Sequence, residues 1–199
     1  MGTGSKENIV AIITTRSKST RFPDKFKADI CGKPMLSWIV ESAKQSKVDS
    51  VVVATVEGDA NVIQFCEERG FDYYAGSEND ILDRIYQAAS INKTDLIVRV
   101  WGDSPLITAN DINMAVDLFV RRKPPYLCRY SKNGAISVMT MKELTTLHNF
   151  LTDAHDREWI HNYQSEQKGA ITIELGTPRT VDTIQDLEEV DNVLSQRNN

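Results

Sequence analysis

The sequence predicts an α/β protein whose sheet is mostly parallel and carries helices on both faces. Three observations lead there. Between residues 9 and 120 an apolar strand-like run is followed by a helical pattern four times in succession, the rhythm of chained β-α-β units. The runs Ile9-Val10-Ala11-Ile12-Ile13 and Val51-Val52-Val53-Ala54 are continuously apolar instead of alternating, as strands buried on both faces are. The 199 residues suffice for one sizeable domain with its own core.

Taken in order, Ile9 to Ile13 is the first strand. Pro34 is suited to a helix start, and Met35, Leu36, Ile39, Val40 and Ala43 recur at helical spacing behind it. Val51 to Ala54 is the second strand, and Val62, Ile63 and Cys66, closed by Gly70, form the second helix. Phe71 to Tyr74 reads as a short third strand, and Ile81, Leu82, Ile85, Ala88 and Ala89 as the third helix. Leu96 to Val100 is a fourth strand, and Ile112, Ala115, Val116, Phe119 and Val120 make a fourth helix capped by Asn110 or Thr108. After Lys123-Pro124-Pro125 the rhythm changes. Tyr126–Tyr130 and Ala135–Met139 read as strands flanking a turn at Asn133-Gly134. A helical stretch from Lys142 to Glu166, interrupted near Thr152-Asp153, precedes a strand over Ala170–Leu175 and a terminal helix from Ile184 to Leu194, with Thr183 and Asp186 at capping-box spacing. No repeat or interdomain linker is visible, so residues 7–196 are read as one domain and residues 1–6 as disordered or as an added leader.

Lys plus Arg total 23 against 28 Asp plus Glu, a net charge of −5, which argues against a nucleic-acid partner. Three cysteines, Cys31, Cys66 and Cys128, lack metal spacing and fit free thiols in a reducing compartment. No apolar run approaches the roughly 18 residues of a membrane span, and the first residues hold neither a secretory signal nor a myristoylation pattern. The expectation is a cytoplasmic protein without a membrane partner.

Basic residues are nevertheless concentrated in one place. Directly after the first strand, Arg16, Lys18, Arg21 and Lys25 alternate with small hydroxyls, and Pro23 bars a regular helix. A basic loop at the carboxyl end of a strand is where an open α/β sheet holds an anion, and guanidinium and ammonium groups grip phosphate; the plain alternative is a solvated charged loop. No G-x-G-x-x-G or Walker A sequence is present, which weighs against a nicotinamide enzyme and a P-loop kinase. Gly102-Asp103 follows the fourth strand, where Gly102 lets a ligand approach the backbone and Asp103 can hold a divalent cation beside phosphate or serve as a plain turn residue. Asp182 is a candidate second carboxylate or a helix cap. In Gly76-Ser77-Glu78-Asn79-Asp80-Ile81-Leu82-Asp83-Arg84, Gly76 and Ser77 can meet a nucleobase while Asp80 or Asp83 orients Arg84; an ordinary capped helix start fits the segment equally well. His161 is a candidate substrate contact, or a partly exposed helical histidine.

Together these segments resemble the cytidylyltransferases that activate sugars for cell-surface polysaccharides: the 3-deoxy-manno-octulosonate and acylneuraminate cytidylyltransferases and the spore coat polysaccharide biosynthesis protein F group. The matching elements, in family order, are Ala11-Ile12-Ile13-x-x-Arg16-x-x-Ser19-Thr20-Arg21-Phe22-Pro23-x-Lys25, Gly32-Lys33-Pro34-Met35-Leu36, Gly76-Ser77-x-x-Asp80-Ile81-Leu82-Asp83-Arg84, Arg99-x-x-Gly102-Asp103-Ser104-Pro105-Leu106-Ile107, Asp156-Arg157-Glu158 and Thr180-Val181-Asp182-Thr183-x-x-Asp186-Leu187. The resemblance implies a Rossmann-like nucleotide-diphosphosugar transferase fold and a Mg²⁺-dependent reaction of CTP with a small-molecule acceptor, giving a CMP-linked product and pyrophosphate.

The same resemblance implies roles. Arg16, Lys25 and Asp103 would be catalytic. Thr14, Thr15, Arg16, Ser19, Arg21, Lys25, Gly76, Ser77, Asp80, Arg84 and Gly102 would bind nucleotide. Asp103 and Asp182 would hold Mg²⁺, and Arg157, Glu158 and His161 would face the acceptor. It further implies that residues 124–168 form an acceptor-binding and dimerisation sub-region of a homodimer. Departures from the family pattern are Thr14, Thr15, Lys18 in place of a glycine, and Ala135-Ile136-Ser137-Val138 where the protein F group carries acidic residues. A same-fold transferase using GTP or UTP, and a non-catalytic nucleotide-binding homologue, remain alternatives.

Overall fold

The computed structural model describes residues 6–131, 134–165, 168–174 and 180–197. Strands β1 (Ile9–Thr14), β2 (Asp29–Ile30) and β3 (Lys33–Pro34) precede helix α1 (Met35–Lys44), and β4 (Ser50–Val56) leads to α2 (Ala60–Arg69). β5 (Tyr73–Gly76), α3 (Ile81–Ile91), β6 (Leu96–Trp101) and α4 (Ala109–Arg122) complete the repeated units. β7 (Leu127–Ser131), β8 (Gly134–Thr140), α5 (Met141–Phe150), α6 (Ala154–Glu158), α7 (Ile160–Ser165), β9 (Ile171–Glu174) and α8 (Ile184–Arg197) follow.

Among the described residues seven strands form one sheet in the order β5-β4-β1-β6-β8-β7-β9, and β2 and β3 make a separate small hairpin. β5, β4, β1 and β6 run parallel, whereas β8 is antiparallel to β6. Thr14 lies level with Ala54 on one side and Trp101 on the other, so the carboxyl ends of β1, β4 and β6 share one rim. Antiparallel pairing of Val100 with Ile136 brings the start of β8 to that same rim.

Both sheet faces are buried, as the continuously apolar strands require. Ala11, Ile13, Val53 and Val98 pack against Leu36, Ile39, Ile112 and Phe119 on one side. Val10, Ile12, Val52 and Ile97 meet Leu82, Ile85, Leu144 and Leu147 on the other. α8 closes a third cluster, in which Val190 and Leu194 cover Ile30, Met35, Leu106 and Val181.

Two elements differ from the sequence reading. β5 starts two residues late because Gly70, at φ 61°, ends α2 and sends the Phe71 N–H back to the Cys66 carbonyl at 2.9 Å. Phe71 then packs edge-on against Phe65 instead of entering the sheet. Among the described residues the helical stretch expected from Lys142 to Glu166 is three helices, because the Asp153 carboxylate caps α6 through the His155 and Asp156 N–H groups and the chain breaks again at Trp159; Glu166 itself lies outside the described residues. Thr108, not Asn110, caps α4, in a reciprocal box with Asp111. The expected turn residue Asn133 and strand end Leu175 lie outside the described residues.

Candidate active site

The basic loop after β1 is fixed at several points. The Ser17 N–H donates to Asp59 Oδ2 at 2.8 Å, the Asp24 N–H donates to the Ser17 carbonyl at 2.9 Å, and Asn61 Nδ2 donates to the Asp24 carboxylate at 3.1 Å. Asp24 takes a left-handed conformation at φ 53°, which closes the loop into a single 3₁₀ turn over Lys25–Lys27. Phe26 in that turn is wholly buried and meets Phe65 edge-on at 5.3 Å. This apolar anchor fixes the backbone from which Lys25 extends.

Lys25 Nζ lies 3.1 Å from Asp103 Oδ2 and 3.0 Å from Asp182 Oδ1, and donates to the Val181 carbonyl at 2.8 Å. Arg21 approaches the other Asp182 oxygen at 3.3 Å. Asp103 is brought to the rim by β6 and by Gly102, whose N–H donates to the Thr14 carbonyl at 2.9 Å. A Cβ at Gly102 would stand 2.6 Å from that carbonyl oxygen and 2.8 Å from Thr15 Cβ, so the close approach needs glycine. Asp182 is carried by two bonds that do not involve its carboxylate. The Val181 N–H donates to the Asp103 carbonyl at 2.8 Å, and the Asp182 N–H donates to Asp186 Oδ2 at 3.1 Å. Asp186 also accepts from the Thr183 N–H while its own N–H donates to Thr183 Oγ1, the reciprocal box expected at the start of α8. Thr183, not Asp182, is therefore the cap, and Asp182 projects just ahead of it.

The second wall is the segment from Gly76 to Arg84. Arg84 is 2% exposed and donates through Nη1 to the Ser77 carbonyl at 3.1 Å. Burial pushes its guanidinium down to about 10, with Arg16 and then Arg99 adding to the effect against the opposing pull of Asp59 and Asp80. Three guanidiniums thus share this corner, which favours an anionic guest. Neither carboxylate expected to orient Arg84 takes a bond from its guanidinium; Asp80 meets Arg84 through its carbonyl, which accepts from the Arg84 N–H at 3.1 Å. Asp80 caps α3 through the Asp83 N–H and pairs with Arg157 at 2.7 Å, and the Asp83 carboxylate accepts from His148 Nε2 at 2.9 Å.

Among the expected acceptor residues, Arg157 spends its fork on Asp80 and on the His148 and Leu151 carbonyls. Glu158 is exposed at the end of α6, and the His161 side chain lies outside the described residues. Arg16 is exposed, whereas Thr14, Thr15 and Ser19 are half-buried along the rim. Lys18, the departure from glycine, reaches Glu78 at 3.2 Å and so bridges the loop to the second wall. The sequence reading missed Asp59 and Asn61, which with Arg16, Ser17, Lys18 and Glu78 line an open cleft at this rim. The Gly58-Asp59 pair before an apolar helical pattern was the available signal, since Asp59 caps α2 at the Val62 N–H.

The sequence model of the family described as "Cytidylyltransferase" matches residues 10–187. A 3-deoxy-manno-octulosonate cytidylyltransferase of Geobacter sulfurreducens is 36% identical over 156 residues, covering 73% of this chain and 54% of the relative. An uncharacterized protein of Methanocaldococcus jannaschii is 28% identical over 167 residues, covering 82% of this chain and 65% of the relative. The chain therefore spans about half to two thirds of the length of these curated relatives. Among solved structures, a cytidylyltransferase from Leptospira borgpetersenii superposes with a TM-score of 0.86 at 27% identity, covering 96% of this chain and 88% of that one. CMP:2-keto-3-deoxy-manno-octonic acid synthetase complexed with CTP superposes with a TM-score of 0.80 at 21% identity, covering 96% of this chain and all of that one; at that identity the likeness speaks for the fold.

Proposed function

The chain belongs to the cytidylyltransferase family, and from that premise we propose that it transfers CMP from CTP to a small acidic-sugar or phosphorylated acceptor, releasing pyrophosphate. The observation that carries this reading is the meeting of the Lys25 ammonium with the Asp103 and Asp182 carboxylates, at 3.1 and 3.0 Å. Those residues come from three distant parts of the sequence, and they sit beneath a basic loop.

In this reading the triphosphate lies along the loop, gripped by Arg16, Ser19 and Arg21, with Lys25 reaching the reacting phosphate. Thr14, Thr15 and Gly102 form the floor, since Gly102 donates to the Thr14 carbonyl. Gly76, Ser77 and Arg84 stand beside the base, and Asp80 reaches them through α3. The acceptor oxygen attacks the α-phosphorus in line. An oxygen–phosphorus bond forms as the α–β phosphoanhydride breaks, pyrophosphate leaves with the bond's electron pair, and the proton of a hydroxyl acceptor passes to solvent. Such a transfer needs positioning and charge neutralisation, not a protein nucleophile.

The donor set fits a hard divalent cation: two carboxylates already share one cationic group, the Lys25 ammonium, and Mg²⁺ is commonly held by one or two carboxylates together with substrate phosphates. Asp103 and Asp182 would hold Mg²⁺, which when bound supplies neutralisation of charge developing on phosphate oxygens. Arg157 acts on the acceptor side as a positioning residue, through its grip on Asp80 and the α5–α6 connection. Glu158 and His161 complete that wall, and residues 124–168 supply the acceptor pocket and the contact of a homodimer. In this reading the protein works in the cytoplasm, in cell-surface glycan synthesis. Among the described residues no helix is long and apolar enough to cross a membrane.

The test compares thermal shifts with CTP, UTP, GTP and ATP in the presence of Mg²⁺, since a ligand of the native state raises its stability. Pyrophosphate release over a panel of acidic sugars and sugar phosphates then identifies the acceptor. CTP alone should stabilise strongly; stabilisation by GTP and not CTP overturns the reading. Asp103→Asn and Asp182→Asn should each lower turnover by orders of magnitude with the fold intact. Undiminished pyrophosphate release in either variant removes that residue from the metal pair.

A further inference from the structure

Lys25 is more than one cation among several in the loop. Its side chain is 14% exposed, and three oxygens surround the ammonium: one each from Asp103 and Asp182, and the Val181 carbonyl. The Asp103 and Asp182 carboxylates are the pair assigned above to the metal. Arg21 holds a further Asp182 oxygen, so two negative charges already face two positive ones. A divalent cation arriving alone would have to evict a bonded ammonium and leave that ammonium in a part-buried site next to a doubly charged ion. Exchanging a satisfied ion pair for another in this way gains little net free energy.

The balance changes when a triphosphate arrives with the metal. The loop that carries Lys25 is the loop that faces the phosphates, and its backbone is pinned independently by Phe26 and by the Asp24–Ser17 bond. The ammonium can therefore change partner by turning its own flexible stem. The two carboxylates keep their places during such an exchange, because the Val181 and Asp182 N–H bonds hold the Asp182 segment to Asp103 and to α8.

Resting on the functional reading above, we infer that Lys25 is an exchangeable counter-ion: it occupies the metal carboxylates in the free protein and hands them to the metal only as it takes up nucleotide phosphate. Metal and nucleotide are thereby coupled, and coupling of this kind is reciprocal. The device also keeps metal binding from preceding the substrate.

Lys25→Met tests this, because methionine keeps most of the stem and lacks the charge. Mn²⁺ alone is titrated calorimetrically into the wild type, Lys25→Met and the double variant Lys25→Met/Asp182→Asn, each first checked by circular dichroism for an unchanged fold. The expected result is that Lys25→Met binds Mn²⁺ at least about tenfold more tightly than the wild type, a change of about 1.4 kcal/mol, and that the double variant loses the gain. CTP affinity is then measured in EDTA and in Mg²⁺. The factor between the two conditions should shrink from wild type to Lys25→Met, the solution complex of Mg²⁺ with CTP cancelling in that comparison. If Lys25→Met binds Mn²⁺ no more tightly than the wild type while Mg²⁺ still strengthens CTP binding in both, the exchange is overturned and the functional reading stands. If neither protein binds Mn²⁺ or CTP at all, both fall. Should Lys25→Met fail to fold, Lys25→Gln replaces it under the same criteria.

Discussion

Gly102 is where a single hydrogen atom decides the shape of the rim. Replacing it with alanine sets a methyl group 2.6 Å from the Thr14 carbonyl oxygen, a backbone atom that cannot step aside cheaply. Gly102→Ala should cost about 1–3 kcal/mol in urea unfolding, the range of overpacked sites, and should also lower pyrophosphate release by displacing Thr14. Arg84 presents the opposite case, a charge kept at the expense of stability. It is 2% exposed, and burial, Arg16 and Arg99 hold its guanidinium down near 10, below the usual guanidinium range. Because the folded value is the lower one, the unfolded chain holds this proton more firmly. The penalty is whole at neutral pH and fades only as pH rises through about 10 toward the usual guanidinium range. Arg84→Met should therefore stabilise the protein by about 1 kcal/mol or more at pH 7 while weakening CTP binding. Urea unfolding paired with CTP calorimetry reads both, and a destabilised variant would show that the Ser77 bond outweighs the buried charge.

At the scale of elements, α3 is joined to α5 and α6 by polar contacts that reach across the chain. His148 stacks on Tyr86 at 4.1 Å and bonds Asp83, and Arg157 pairs with Asp80. Burial is the largest influence on Asp83 and pushes its carboxyl up. The bonds from His148 and Gln87, with the charges of His148 and Arg157, outweigh burial and leave the group below its ordinary 3.8. A carboxyl more acidic folded than unfolded contributes stability in full above about pH 4, and that contribution drains as pH falls through the folded value. Asp83→Asn should flatten the acid limb of a pH series of urea midpoints between pH 2 and 5; an unchanged limb places the acid sensitivity elsewhere. The helix itself was legible in the sequence, as were its apolar stripe and the polar run before it. Its partners were not, because Asp83 finds His148 across 65 residues and Asp80 finds Arg157 across 77. Local spacing carries no trace of such pairings. The same limit applied to the rim: Asp103 and Asp182 each read alone as a turn or cap residue, and only the family order of the motifs joined them. Asp59 escaped altogether, since a capping aspartate looks the same whether or not its second oxygen holds a neighbouring loop.

For the whole molecule, four β-then-α units give a parallel half, and the reversal at β8 gives a mixed second half in the same sheet. β1 and β6 are paired on both sides, whereas among the described residues β5 and β9 are edges. Native-state hydrogen exchange should find the amides of β1 and β6 protected close to the global unfolding limit and those of β5 and β9 far less; equal protection across the sheet would contradict the described pairing. The net charge of −5 makes the basic rim a local exception on an acidic surface, suited to gathering a small anion from solution.

The tie between the two acidic residues also has a consequence in time. Lys25 finds Asp103 across 78 residues but Asp182 only across 157. Synthesis proceeds at about 5–20 residues per second, so several seconds separate the emergence of the two carboxylates from the ribosome. A nascent chain that has already folded its parallel half displays the basic loop and Asp103 while still lacking Asp182. Under the proposed function, the metal carboxylate pair is completed only once the segment leading into α8 has docked.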